Sequence, residues 1–123
     1  MLPIDGEGDL ILSFSRCPYP IASHDINSTF NYANKAALAL FKTSWGEMIG
    51  LDSRVSAPET AQEDRMKLLT NVSQLGFVED YRGIRVAFDG SFFKIHKATI
   101  WNIIDSNNNN QGQAVIIMDH SQS

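Results

Sequence analysis

The last third of the chain leaves the fewest options for folding. Residues 83–88 run Gly83-Ile84-Arg85-Val86-Ala87-Phe88, Asp89-Gly90 follows, and residues 91–104 are rich in Phe, Ile, Thr and Trp. Asp-Gly between two such runs is the strongest short-range hairpin signal a sequence carries. Asn107 to Asn110 then tip a second turn, since asparagine tolerates left-handed backbone. Ala114, Val115, Ile116, Ile117 and Met118 supply a third strand. Strands joined by connections this short must run antiparallel, because a parallel pair needs a long crossover.

Ahead of this meander the period changes. Ala33, Ala36, Ala37, Leu40 and Phe41 fall on one helical stripe, and the small alanines predict close packing on a sheet. Ser44-Trp45-Gly46-Glu47 is a capping box that opens a short helical turn, with Gly50 as its stop. Ser56-Ala57-Pro58-Glu59 repeats the device, heading a helix with Ala61, Leu68, Leu69, Val72 and Leu75 on one face and Gly76 at its end. Further forward, Leu10, Ile11, Leu12 and Phe14 make a short apolar run, a strand or a docked segment, which Pro18 and Pro20 interrupt. Residues 21–23 and 29–32 read as short strands around a polar turn. The layout is α+β, with helices over one face of a sheet.

A chain of 123 residues has room for one core. Residues 1–15 read as an N-terminal segment and 16–120 as a single domain. Ten basic residues against 14 acidic ones give a net charge of -4, and no run of Lys or Arg exists. Nucleic acid is thereby disfavoured as a partner. No apolar stretch approaches the ~18 residues of a membrane span. Asp5, Glu7 and Asp9, with no basic residue nearby, oppose a signal peptide. The lone Cys17 can form neither an internal disulfide nor a multi-cysteine zinc site. These features place the chain in a reducing cytoplasm.

Catalytic signals are sparse. His24, His96 and His120 lack metal-ligand spacing, and no nucleophile elbow or phosphate loop is present. Cys17 adjoins Arg16, but no base is marked for it. Glu79 and Asp80 read as solvated loop acids before they read as general bases, and Asp105 ends the long strand. More informative are polar residues set in apolar runs: Arg54, Arg85 and Asn102. Strand alternation puts Arg85 on a face with Gly83 and Ala87, and Asn102 with Ile100 and Ile104. Each needs a partner, since burying such a group unpaired costs about 1–3 kcal/mol or more. The partner is a protein group or a ligand carboxylate. Phe77, Tyr81, Phe92, Phe93 and Trp101 either line a pocket or form plain core.

Several motifs together resemble a known family. They are Ser23-His24-Asp25, the run from Phe30 through Asn34-Lys35 to Leu38, Ser53-Arg54 with Ser56-Ala57, and Arg65 before Leu68-Leu69. Gly76-Phe77, Asp80-Tyr81, Gly83-Ile84-Arg85, Ala98-Thr99, Trp101-Asn102, Asp105 and Gly112-Gln113-Ala114 complete the series. From about residue 21 to 118, their order is similar to the MEKHLA domain, a PAS-related sensory module. That family occurs alone in bacteria and at the C-terminus of plant class III homeodomain leucine-zipper proteins. The resemblance implies a PAS-like fold, a five-stranded antiparallel sheet with helices packed over one face. It implies also a small molecule held between sheet and helices, or a dimerisation surface. On this reading the ligand-contacting residues are Tyr32, Asn34, Arg54, Phe77, Tyr81, Arg85, Trp101 and Asn102. Two departures stand out: a longer helical N-terminal segment is missing, and Met118-Asp119-His120 replaces a terminal aromatic.

The same resemblance disfavours the coloured cofactors. Residues 58–76 carry no histidine for haem, and Cys17 sits in neither a flavin-type Asn-Cys-Arg-Phe-Leu-Gln stretch nor the helical region a thioester chromophore needs. What remains is an uncoloured small molecule, anionic if Arg54 or Arg85 faces the cavity, or no ligand. The function expected is a sensory module acting through a small molecule, a homodimer or an unidentified signalling protein. The alternatives are a pure dimerisation module using residues 1–15 and the sheet, and, last, a small cone-type enzyme with His96 or Asp105 turned inward.

Overall fold

The computed structural model describes residues 2–3, 16–56 and 76–122. Its elements are β1 (Leu2–Pro3), β2 (Ile21–Asp25), β3 (Phe30–Ala33), α1 (Lys35–Leu40), α2 (Trp45–Met48), a 3-10 turn (Ser53–Ser56), β4 (Phe77–Val86), β5 (Phe92–Ile104) and β6 (Asn110–Gln122). The expected helix after Ser56 and the apolar run at 10–14 lie outside the described residues. Five antiparallel strands stand in the order β3-β2-β6-β5-β4. The two residues of β1 add a parallel pairing beside Ile103 and Ile104, past the start of β4. β3 and β4 lie on opposite edges, and α1 and α2, which follow β3, pack over one face of the sheet.

One turn design closes all three hairpins. Ser28 N donates to Asp25 O, Gly90 N to Ala87 O and Asn108 N to Asp105 O, each at 3.0 Å. In each the third loop residue is left-handed, with φ of 63° at Ser28, 89° at Gly90 and 65° at Asn108. This is a type I turn closed by a left-handed residue, the usual three-residue hairpin loop. Asp25 and Asp105 brace theirs from the side chain, each Oδ1 accepting two backbone N–H bonds at 2.8–3.0 Å. The asparagine run therefore contributes only its first half to the loop, and Asn110 already belongs to β6.

The helices begin where their caps sit. Asn34 Oδ1 accepts from Ala37 N at 2.9 Å, and Ser44 Oγ from Glu47 N at 3.3 Å. Ala37 and Met48 are wholly buried and Leu40 nearly so, against Phe30, Phe41, Phe93, Ile95, Ala98 and Ile117. Phe88 N donates to Phe41 O at 2.8 Å, tying the β4–β5 hairpin to the end of α1. Lys42 adds a bond to Ser91 Oγ at 2.8 Å and an ion pair with Asp89 at 3.3 Å.

At that hairpin the Ser91 hydroxyl and backbone N–H, helped by Lys42, hold the Asp89 carboxyl at about 2. The folded value lies below the ordinary aspartate value of about 4. The stabilisation is therefore complete above about pH 4 and lost as pH falls through about 2. Asp89→Asn should accordingly be less stable than wild type near neutrality. The gap should close as urea melts are taken down through that window, and a gap constant in pH would refute the coupling.

Strand β4 begins at Phe77, earlier than the expected start at Gly83. Asp80 is left-handed, φ 57°, and the β4–β5 register slips between Val78 and Tyr81 and again between Tyr81 and Gly83. One extra residue on each strand breaks the period of two, so the alternation that marks a strand is lost there. Glu79 and Asp80 are exposed, as read, but they sit in a bulged strand and not in a loop.

Candidate functional site

The β bulges decide which side chains face the helices. On β5 the inward residues are Phe93 and Ile95, then, past the slip at His96 and Lys97, Ala98, Ile100 and Asn102. Their partners on β4 are Arg85, Gly83, Tyr81 and Val78. Across β6 and β2 the same face carries Ile117, Val115, Gln113, Ala22 and His24. Here the sheet, the end of α1 and the 3-10 turn border a half-open cavity of about 80 Å³. That is several times the ~10–15 Å³ a water needs.

The floor is apolar: Ala22, Ile95, Ile100, Val115 and Ile117, with Phe30 and Phe41 on the flank. The polar lining is Ser23, His24, Ser53, Ser56, Gln113, Tyr81 and Arg85. Gln113 Nε2 donates to Asn102 Oδ1 at 3.2 Å, so Asn102 supports the site one residue back from its surface. His24 Nδ1 lies 2.9 Å from the Asp25 carbonyl oxygen, which can only accept, so that nitrogen carries the proton. Ser56 Oγ donates to Ser53 O at 2.9 Å, closing the 3-10 turn over this end.

Arg85 and Tyr81 form the β4 wall. The Arg85 guanidinium lies 5.2 Å from the Tyr81 ring centre, a cation–π contact, and Nη1 donates to Ile84 O at 2.9 Å. The phenol tip fills the space a side chain at Gly83 would occupy: a Cβ there would stand 2.7 Å from Tyr81 Cζ. Gly83→Ala should therefore swing the ring aside and release Arg85. The expected loss is about 1 kcal/mol, since only the end of a side chain must move. Gly46→Ala meets nothing within 4 Å and should instead stabilise by up to about 1 kcal/mol. Urea melts of both variants test the contrast, and equal shifts of one sign would refute it.

The expected ligand contacts thus divide. Tyr81 and Arg85 line the cavity, and Asn102 stands behind Gln113. Arg54 is exposed outside the cavity, its Nη2 2.6 Å from Asp52 Oδ2, a bond that raises its pKa further. Asn34 is buried but spent on backbone: Oδ1 accepts from Ile21 N and Ala37 N, and Nδ2 donates to Tyr19 O. Tyr32 packs edge-on against Trp45 at 6.0 Å. Trp101 packs with Ile103, Ala114 and Ile116 on the opposite sheet face, and its cross-strand partner Phe77 is half exposed. None of these four lines the cavity, and neither does Arg54's partner Asp52.

The two side chains suited to an inward acid or base lie elsewhere. His96 is exposed and bonded to Ser121 Oγ at 2.7 Å. Asp105 is held below the usual carboxylate range, chiefly by the Asn109 backbone N–H and also by Asn107 and Gln111. His24, Ser53, Ser56 and Gln113 stand in the family motifs but are not among the expected ligand contacts, and all four line the cavity.

The MEKHLA domain model matches residues 7–122. The chain matches no curated protein. Among solved structures it is similar to a PAS domain from Colwellia psychrerythraea, with a TM-score of 0.77, 15% identity and 94% of each chain covered. A PAS domain of a LuxR-family transcriptional regulator from Burkholderia thailandensis, in complex with ethanol, gives a TM-score of 0.68 at 16% identity, covering 92% of this chain and 96% of that one. VqmA of Vibrio cholera, in a complex with ligand and DNA, gives 0.69 at 23% identity, over 93% of this chain but 50% of that one. The common fold is PAS-like. Among the described residues no helix is long and apolar enough to cross a membrane.

Proposed function

The chain belongs to the MEKHLA domain family, and from that premise we propose that it is a sensory module whose signal is a small molecule held in the cavity between sheet and helices. We place it in the cytoplasm, working through a homodimer or a signalling partner rather than through catalysis. One observation carries the proposal: an apolar recess between the sheet, the end of α1 and the 3-10 turn is bordered by the polar side chains of Arg85, Tyr81, Gln113 and His24. A few orienting polar groups around an apolar body is the usual make-up of a small-molecule site. The Burkholderia thailandensis PAS domain, of the same fold, has ethanol in its complex.

A pure dimerisation module is the second reading, and the half-exposed Phe77, Ile84 and Phe92 of β4 and β5 favour it. Native mass spectrometry of the purified chain, set against its denatured mass, separates the two. Extra non-covalent mass that Arg85→Ala loses while staying folded is the expected result. A clean dimer without added mass, unmoved by Arg85→Ala, favours the second reading.

A further inference from the structure

The cavity wall is uneven in charge. Among its described lining residues Arg85 is the one permanently charged side chain, and no Asp or Glu is present. This holds in a chain whose formal net charge is -4. Lys42, Lys94 and Lys97 all lie outside the lining. Among the described residues Arg85 pairs with no carboxylate: its one hydrogen bond goes to Ile84 O, and its guanidinium carbon lies 5.2 Å from the Tyr81 ring centre. An arginine has five N–H donors in a fixed fork. The bond at Nη1 leaves the Nε–Nη2 edge, the edge that matches two carboxylate oxygens. The cation–π contact and the bond to Ile84 O restrain the guanidinium and so lower the entropy cost of using it.

On the reading that the cavity holds a ligand, we infer that this ligand is a small aliphatic carboxylate. Arg85 holds the carboxylate edge-on, and the short apolar body lies on Ile95, Ile100 and Ile117. Two features set the class. Among the described lining residues a single guanidinium balances one negative charge, whereas a phosphate dianion would ask for a second cation. The recess of about 80 Å³ has an apolar floor that suits a short aliphatic body.

Isobutyrate, with isobutyramide as its uncharged isostere, probes the inference in the full chain. Both are titrated against ¹⁵N-labelled protein while the Arg85 Nε signal and the β4 and β5 amides are followed. Isobutyrate should shift them saturably and bind about 10- to 100-fold more tightly than the amide, the span expected of a charge-assisted bidentate pair. Arg85→Gln should reduce isobutyrate to the level of the amide, and Arg85→Lys, which keeps the charge but not the fork, should fall between. Backbone spectra of both variants establish that they are folded. Equal affinity for acid and amide overturns the anion and leaves the cavity reading standing. Neither binding, while native mass spectrometry finds a neutral molecule aboard, does the same. Neither binding, with no added mass in any preparation, removes both.

Discussion

Gly112→Ala should cost about 4 kcal/mol or more, a large share of the ~5–15 kcal/mol that stabilises a domain, and should lower the melting temperature steeply. Gly112 has φ of 142°, a region closed to L side chains. Its position is worse than its angle. It pairs with Ile103 on one side and Asp25 on the other, so backbone stands on both flanks. A Cβ would overlap the His24 carbonyl oxygen and lie 2.9 Å from Asp25 Cα. Neither is a flexible tip; both belong to β2, and β2 can yield only by leaving β6. Gly90→Ala provides the control. Gly90 is also left-handed, φ 89°, but nothing lies within 4 Å of its missing Cβ. That substitution should cost only the local strain, about 1–2 kcal/mol. Thermal melts of the two variants make the comparison. If Gly112→Ala melts as high as Gly90→Ala, the close approach of β2 to β6 is not what the glycine serves. The site depends on that approach too, since it seats His24 beside Gln113 on the cavity wall.

What a sequence shows and hides is visible strand by strand. The hairpin at Asp89-Gly90 and the capping box at Ser44 were legible because their signals are local: a turn residue or a cap works through its own neighbours. The face of Arg85 was legible for the same reason, since Gly83, Arg85 and Ala87 stand in uninterrupted alternation. The start of β4 was not, because the left-handed Asp80 inserts a bulge that no periodicity records. Trp101 and Phe77 mislead differently. Parity already sets Trp101 opposite Ile100 and Asn102, yet aromatic character alone suggests a pocket wall. They form a pair on the other face. Arg54 looked embedded because Ser53 and Val55 flank it; the 3-10 turn points it outward to Asp52. His24 and Gln113 become neighbours only through β2–β6 pairing, between residues far apart in sequence, which alternation within one strand cannot reveal.

Asn34 is the side chain whose chemistry should be least replaceable. One amide joins three backbone groups: Oδ1 accepts from Ala37 N at 2.9 Å, capping α1, and from Ile21 N at 3.0 Å, while Nδ2 donates to Tyr19 O at 2.9 Å. Its own N–H reaches Ile21 O at 2.9 Å, so the start of β2 is clamped to the start of α1. The residue is 2% exposed, and water has little access to take over these bonds. Asn34→Ala strands two donors and an acceptor. At about 1–3 kcal/mol for each buried group left unpaired, less what relaxation recovers, the loss should be about 3–5 kcal/mol. Asn34→Ser retains a cap acceptor but cannot span to Tyr19, and should recover about 1 kcal/mol of that. Asn34→Asp is the sharper test. Its carboxylate keeps the two N–H bonds, but the second oxygen then faces the Tyr19 carbonyl, acceptor against acceptor. A protonated carboxyl can donate there, so burial and this carbonyl should both raise the introduced group's pKa. A raised folded value means the penalty is full above that value and shrinks as pH falls through it toward the ordinary aspartate value of about 4. Urea melts of Asn34→Asp and Asn34→Ala between pH 7 and about 5 should therefore converge with wild type for the aspartate alone. If both variants keep a constant deficit across that range, the amide's donor bond to Tyr19 contributes nothing to the clamp.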